Sequence, residues 1–272
     1  MRFAIDINFK GRPPFLVPVT FRSEIINFLK ELIKSSDCDL KKYHEYWGNV
    51  NGHRAKPYTF FLNIPNPEFV QTIRGGFYKF DNCSVKLYIS SCDPEFFPLI
   101  YNGYLKMRDR FILFNYAVEL KELYLSKLKS INSEYEKFKI LSPVIVRDIA
   151  VINENRKNFK GYLSYDNPYY NKALGYSIIT LCRRFLNIKN KNINYDIEID
   201  TTECHSVRLH HYSEVMPGTK GFIGIKADKD ILELIYDIGL GARRSQGFGM
   251  VDVISKNYRK QIANSKEIMA NI

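Results

Sequence analysis

The chain has 272 residues, 45% of them hydrophobic and 25% charged, which is enough for one large domain or two small ones with separate cores. Lysine and arginine outnumber aspartate and glutamate by 40 to 29, and the resulting charge of +11 favours a polyanionic partner through its long-range field. No segment is apolar for long enough to span a bilayer, so no membrane partner is expected, and five cysteines without a C-x-x-C pair support neither a disulfide framework nor a zinc site. The expectation is reduced thiols in a cytoplasmic protein. Phe3, Ile5, Ile7 and Phe9 alternate with polar neighbours, which predicts a half-buried strand and argues against a secretory signal. Ile25, Ile26, Phe28, Leu29, Leu32 and Ile33 then recur at helical spacing, predicting a helix over 22–34. Tyr58 to Ile64 reads as a strand. Gly75-Gly76 reads as a turn between extended stretches, and Val85, Leu87 and Ile89 alternate as another strand. Asp93-Pro94 supplies a helix start, and 111–118 is extended again.

The stretch 119–139 is rich in Lys, Glu and Ser and reads as a solvated connection. After it the order repeats. Residues 141–151 are extended, and Asn167-Pro168 opens a helix with Tyr170, Leu174, Ile178, Leu181 and Phe185 on one stripe. Extended stretches follow at 193–200, 205–215 and 221–227, and Asp228 caps a helix whose Ile231, Leu232, Leu234, Ile235 and Ile238 face inward. Phe248 to Ile254 closes the series. The expected fold class is α+β: tandem ferredoxin-like, or RRM-like, βαββαβ domains over 1–128 and 129–272.

Between the last helix and the last strand lies a loop with Gly239, Gly241, Gly247 and Gly249 around the adjacent Arg243 and Arg244. Glycines let backbone N–H groups converge on a ligand, and paired arginines suit phosphate. A dinucleotide fingerprint is excluded, because Arg244 stands where its third glycine belongs and the flanking elements run in reverse. A Walker loop is excluded by the absence of Gly-Lys-Ser/Thr. A phosphate cradle and a plain glycine-rich turn between core elements both remain open on these residues alone.

The run from Gly239 to Val251 resembles the glycine-rich signature of the CRISPR-associated endoribonucleases of the sixth Cas family, within the RAMP superfamily. Met1-Arg2-Phe3, Leu141-Ser142-Pro143-Val144 and Gly218 to Val253 match in order. Tyr43-His44-Glu45 and Ala55-Lys56-Pro57-Tyr58-Thr59-Phe60 are similar to the family's catalytic loop and the strand after it. The resemblance implies an enzyme that cuts precursor guide RNA without metal or cofactor. In that reaction a ribose 2′-hydroxyl attacks the adjacent phosphodiester, leaving a 2′,3′-cyclic phosphate and a 5′-hydroxyl. It implies CRISPR repeat RNA lying across the cleft between domains, other Cas proteins as further partners, and a monomer or homodimer.

The implied chemistry needs proton transfer and a cation near the phosphorane, which imidazole and ammonium supply. His44, His53 and Lys56 are the candidate catalytic residues, and Gly239, Gly241, Arg243, Arg244, Gly247 and Gly249 the candidate RNA contacts. The family's first-helix tyrosine has no counterpart in Asn27-Phe28-Leu29-Lys30-Glu31, so Tyr43, Tyr46 or the second histidine would substitute. His205, Arg208, His210 and His211 form a second basic cluster; on strand alternation His205 shares a face with His211, and Arg208 with His210. Trp47 is a candidate base-stacking residue. Two other readings stay open: a non-cutting guide-RNA-binding subunit, and an enzyme for a small phosphorylated ligand with an enclosed pocket at the glycine loop.

Overall fold

The computed structural model describes residues 1–36, 56–73, 75–108, 111–148, 161–186, 196–211 and 214–254. The alternating amino-terminal segment forms β1 (Arg2–Phe9), whose Phe3, Ile5 and Ile7 are fully buried. It pairs antiparallel with β6 (Ser84–Ser91) on one side and β8 (Tyr116–Leu125) on the other. Outside β6 lies β3 (Tyr58–Asn63), and outside β8 the short β7 (Phe111–Leu113), giving the order β3-β6-β1-β8-β7. Two helices cover the apolar face. α1 (Arg22–Ser35) buries Ile25, Phe28, Leu29, Leu32 and Ile33, and α2 (Phe96–Met107) buries Phe96, Ile100 and Tyr104 in the same core. Three further strands, β2 (Phe15–Pro18), β4 (Glu68–Thr72) and β5 (Gly75–Phe80), make a side sheet ordered β2-β5-β4.

The second half is built the same way. β9 (Tyr135–Ile140) lies between β13 (Glu214–Lys226) and β14 (Val251–Val253), and β12 (Glu198–His211) flanks β13, so the order is β12-β13-β9-β14. β10 (Val146–Arg147) and β11 (Tyr162–Leu163) form a small separate pair. α3 (Tyr170–Phe185) and α4 (Lys229–Ile238) share one core with Phe138, Ile223, Ile225 and Val251. In each half the strands of the βαββαβ unit, taken by position, lie second-third-first-fourth. That arrangement makes the chain a tandem ferredoxin-like protein.

Local chemistry accounts for the element starts. The Asp228 carboxylate accepts from Asp230 N–H at 3.2 Å, capping α4 as its sequence predicts. Asp93 Oδ1 accepts from Glu95 N–H at 3.0 Å, and α2 begins one residue later at Phe96. Three expectations are corrected. The 119–139 stretch is largely strand, because β8 runs on to Leu125 and β9 begins at Tyr135, ahead of the expected 141. Residues 111–118 form a hairpin, not one strand, since Phe114 and Asn115 both turn left-handed at φ 54° and 67°. Gly75 starts β5 and is not a turn residue.

Candidate nucleic-acid interface

A groove of about 570 Å³ runs between the halves. One wall comes from the start of α1, from β3 and from β5, and carries Phe21, Arg22, Phe61 and Tyr78. The other comes from β12, β13 and the turn after β9, and carries Arg208, His210 and Lys220. Cations and aromatic faces are thereby interleaved along one concave surface, the combination that tracks a nucleic-acid backbone and stacks its bases.

Two of these cations are held against burial. Arg22 Nε donates to Gly247 O at 3.1 Å, and its guanidinium sits 4.4 Å from the Phe248 ring centroid and 4.7 Å from that of Phe21. Burial lowers its pKa to about 10, which leaves it charged at neutral pH. Lys220 Nζ donates to Leu141 O at 2.7 Å and lies 5.9 Å from the Phe61 ring centroid. Burial, then the like charges of Arg22 and Lys139, push the Lys220 ammonium down to about 8.

The glycine loop forms a seam against both halves of the chain. Several of its N–H groups are spent inside the protein. Leu240 donates to Gly249 O, Ala242 to Ile145 O, Gly249 to Pro143 O and Met250 to Ser142 Oγ, at 2.7–2.9 Å. Thr59 Oγ1 on β3 donates to Phe248 O at 2.9 Å, tying the loop to the first half. Gly249 has φ +72° and a side chain there would collide with Leu240 O; one at Gly247, with φ +83°, would enter the Phe60 ring. Gly239 and Gly241 are likewise backed by backbone, of Gly249 and Ile145. Protein atoms thus lie where a side chain on any of the four glycines would go, while Gly247 also lines the groove.

The two loop arginines part company. Arg244 is 6% exposed and donates through Nη1 to Ile238 O at 3.1 Å, with burial lowering its pKa to about 10. Arg243, left-handed at φ 55°, is half-buried, pairs with Glu214 at 3.0 Å and lies 5.4 Å from the Tyr162 ring centroid. His44, His53, Tyr43, Tyr46 and Trp47 lie outside the described residues. Lys56 is half-buried, with its ammonium 6.0 Å from the centroid of the buried Tyr58 ring. It leads directly into β3, the strand that walls the groove. The second basic cluster also divides. Arg208 and His210 line the groove and His205 is exposed. His211 is buried edge-on against Phe248, 3.0 Å from Gln246 Oε1, and burial lowers its pKa.

Residues 125–253 match the family model for the C-terminal domain of CRISPR-associated protein Cas6. The whole chain aligns with 97% of a CRISPR-associated endoribonuclease Cas6 from Pyrococcus furiosus at 26% identity. The second half of the chain is therefore similar to the Cas6 C-terminal domain, and the chain as a whole to a Cas6 endoribonuclease. Its fold is also that of a solved Cas6-related protein from Pyrococcus furiosus, with TM-score 0.73 at 20% identity over 94% of this chain and 99% of that one. A solved RAMP protein binding different RNA substrates gives 0.71 at 17% identity, over 94% and 100%.

In this Cas6-like chain, sequence reasoning passed over Arg22 and Lys220. Arg22 opens a helix, where acidic residues are the more usual choice, and Lys220 sits in Gly218-Thr219-Lys220-Gly221, whose small neighbours thin the wall around it. Those were the available signals. Phe61 had one too: it faces away from the core that Phe60 and Leu62 fill.

Proposed function

We propose that this chain is an endoribonuclease that processes CRISPR precursor RNA, holding the repeat strand in the groove between its two halves. The observation that carries the reading is that groove. Arg22, Arg208 and Lys220 line it among aromatic side chains, and β3, which walls it, continues directly from Lys56. Similarity to a Cas6 endoribonuclease suggests the activity class.

In the reaction we assign, a ribose 2′-oxygen attacks the neighbouring phosphorus while the 5′-oxygen of the next nucleotide leaves. One imidazole of His44 and His53 takes the 2′-hydroxyl proton, and the other protonates the leaving oxygen. Lys56 offsets the charge that grows on the phosphorane oxygens. The nucleophile belongs to the substrate, so these side chains suffice and the cut needs no metal ion. Arg243 is the loop residue assigned a phosphate contact; the four glycines and Arg244 act by holding the seam that fixes the groove.

The test uses the cognate repeat RNA with EDTA present, beside the same RNA carrying a 2′-deoxy nucleotide just upstream of the cut. Cleavage is expected of the first and none of the second. His44→Ala and His53→Ala should each slow cleavage by about 10²–10⁴-fold. Metal-dependent cutting, or equal cutting of the deoxy RNA, overturns the mechanism. A non-cutting RNA-binding subunit is favoured by one observation, the lack of a tyrosine on α1; binding of the repeat without cleavage in the same assay would establish it.

A further inference from the structure

Beside the main groove lies a second hollow of about 510 Å³, on the open face of the first sheet. The two share Phe61, Asn63, Leu141 and Lys220, so they form one continuous track. Alternation decides what faces it. On β3 Phe60 and Leu62 point into the core while Phe61 points out; on β6 Leu87 and Ile89 point in while Tyr88 points out. The strand register sets Phe61 directly opposite Tyr88. Their rings are nearly parallel, 14° apart with centroids 6.3 Å apart, and both line the hollow. Tyr124, farther along the same row, is engaged elsewhere, because its hydroxyl accepts from Lys86 Nζ, which also pairs with Asp6.

The rim is cationic. Arg2, Lys127, Lys129, Lys139 and Lys220 line the hollow against a single carboxylate, Asp252, which Arg2 and Lys129 already pair. Among the described residues no carboxylate lies within ion-pair distance of Lys127 or Lys139.

We infer that Phe61 and Tyr88 form a stacking platform for unpaired RNA bases, with Lys127 and Lys139 receiving the phosphates that join them. This rests on the RNA-processing reading and adds the form of the RNA, a single strand. Aromatic faces at the floor of a groove are reachable by a base only when it has left its own pair and stack. A duplex would meet the lysines but not the rings.

The experiment is fluorescence anisotropy with a labelled oligouridylate of about ten nucleotides, which carries no repeat sequence, beside a blunt RNA duplex of similar length. The wild-type chain should prefer the oligouridylate. The double variant Phe61→Leu, Tyr88→Leu keeps side-chain bulk but removes both π-faces, and should lose affinity for the single strand by about tenfold or more. Its salt dependence should not change. Tyr88→Phe should restore its share of the binding. Lys127→Ala with Lys139→Ala should flatten the slope of log affinity against log salt by about 1.4. Unchanged single-strand binding by the leucine double variant, or equal binding of the duplex, overturns the platform. A repeat RNA that is bound in this pattern but never cut would instead remove the nuclease reading and leave the platform standing.

Discussion

Lys220 is the group on which the groove's electrostatics turn, and Lys220→Met isolates its charge. The substitution keeps the length of the stem and drops the ammonium. Burial first, then Arg22 and Lys139, lower its pKa from 10.5 to about 8. Below about pH 8 the folded chain therefore holds a cation that its surroundings disfavour, at a cost of about 3 kcal/mol. Between about 8 and 10.5 the unfolded chain keeps the proton that the folded chain has released. Wild-type stability should therefore rise with pH across that window relative to the variant, and the handicap is complete only below it. Urea unfolding of both proteins at pH 7 and at about pH 9.5 cancels every titration they share. Losing the hydrogen bond to Leu141 O shifts the variant by a similar amount at both pH values. The stability difference should move in favour of the wild type by about 2 kcal/mol between the two. RNA affinity should show the functional side of the same charge, falling in the wild type as pH rises through about 8 and staying flatter in the variant. A stability difference identical at both pH values would refute the reasoning.

The seam makes two further predictions. Arg244→Ala strands Ile238 O and empties a buried site, and should cost about 3 kcal/mol in a urea titration, whereas Arg243→Ala, breaking a half-exposed pair with Glu214, should cost less than about 1 kcal/mol. Gly249→Ala combines a left-handed φ with a collision against Leu240 O, and should lower stability by more than about 2 kcal/mol, read as an earlier thermal midpoint and faster limited proteolysis.

Much of the architecture is visible in the alternation of Phe3, Ile5, Ile7 and Phe9 and in the stripes of α1, α3 and α4, since burial on one face imposes those periods. β9 escaped because Glu136 takes an inward position, between Tyr135 and Lys137, and hides the alternation of Phe138 and Ile140. The Phe114-Asn115 turn escaped because an aromatic residue rarely accepts a left-handed backbone. The glycine loop shows the sharper limit. Close approach to a ligand and close approach to other protein atoms demand the same residue, and only the fold shows that Ile145, Phe60 and Leu240 lie against Gly241, Gly247 and Gly249. Arg22 and Lys220 became a pair only when two halves of the chain met.

Because Thr59 Oγ1 and Arg22 Nε on the first half donate to Phe248 O and Gly247 O on the second, the lobes on either side of the groove cannot hinge apart without breaking those bonds. A host of fixed width leaves conformational adjustment to its guest. Pliant, unstructured sequences pay least to comply, so discrimination among transcripts would begin with their stiffness before any base is read.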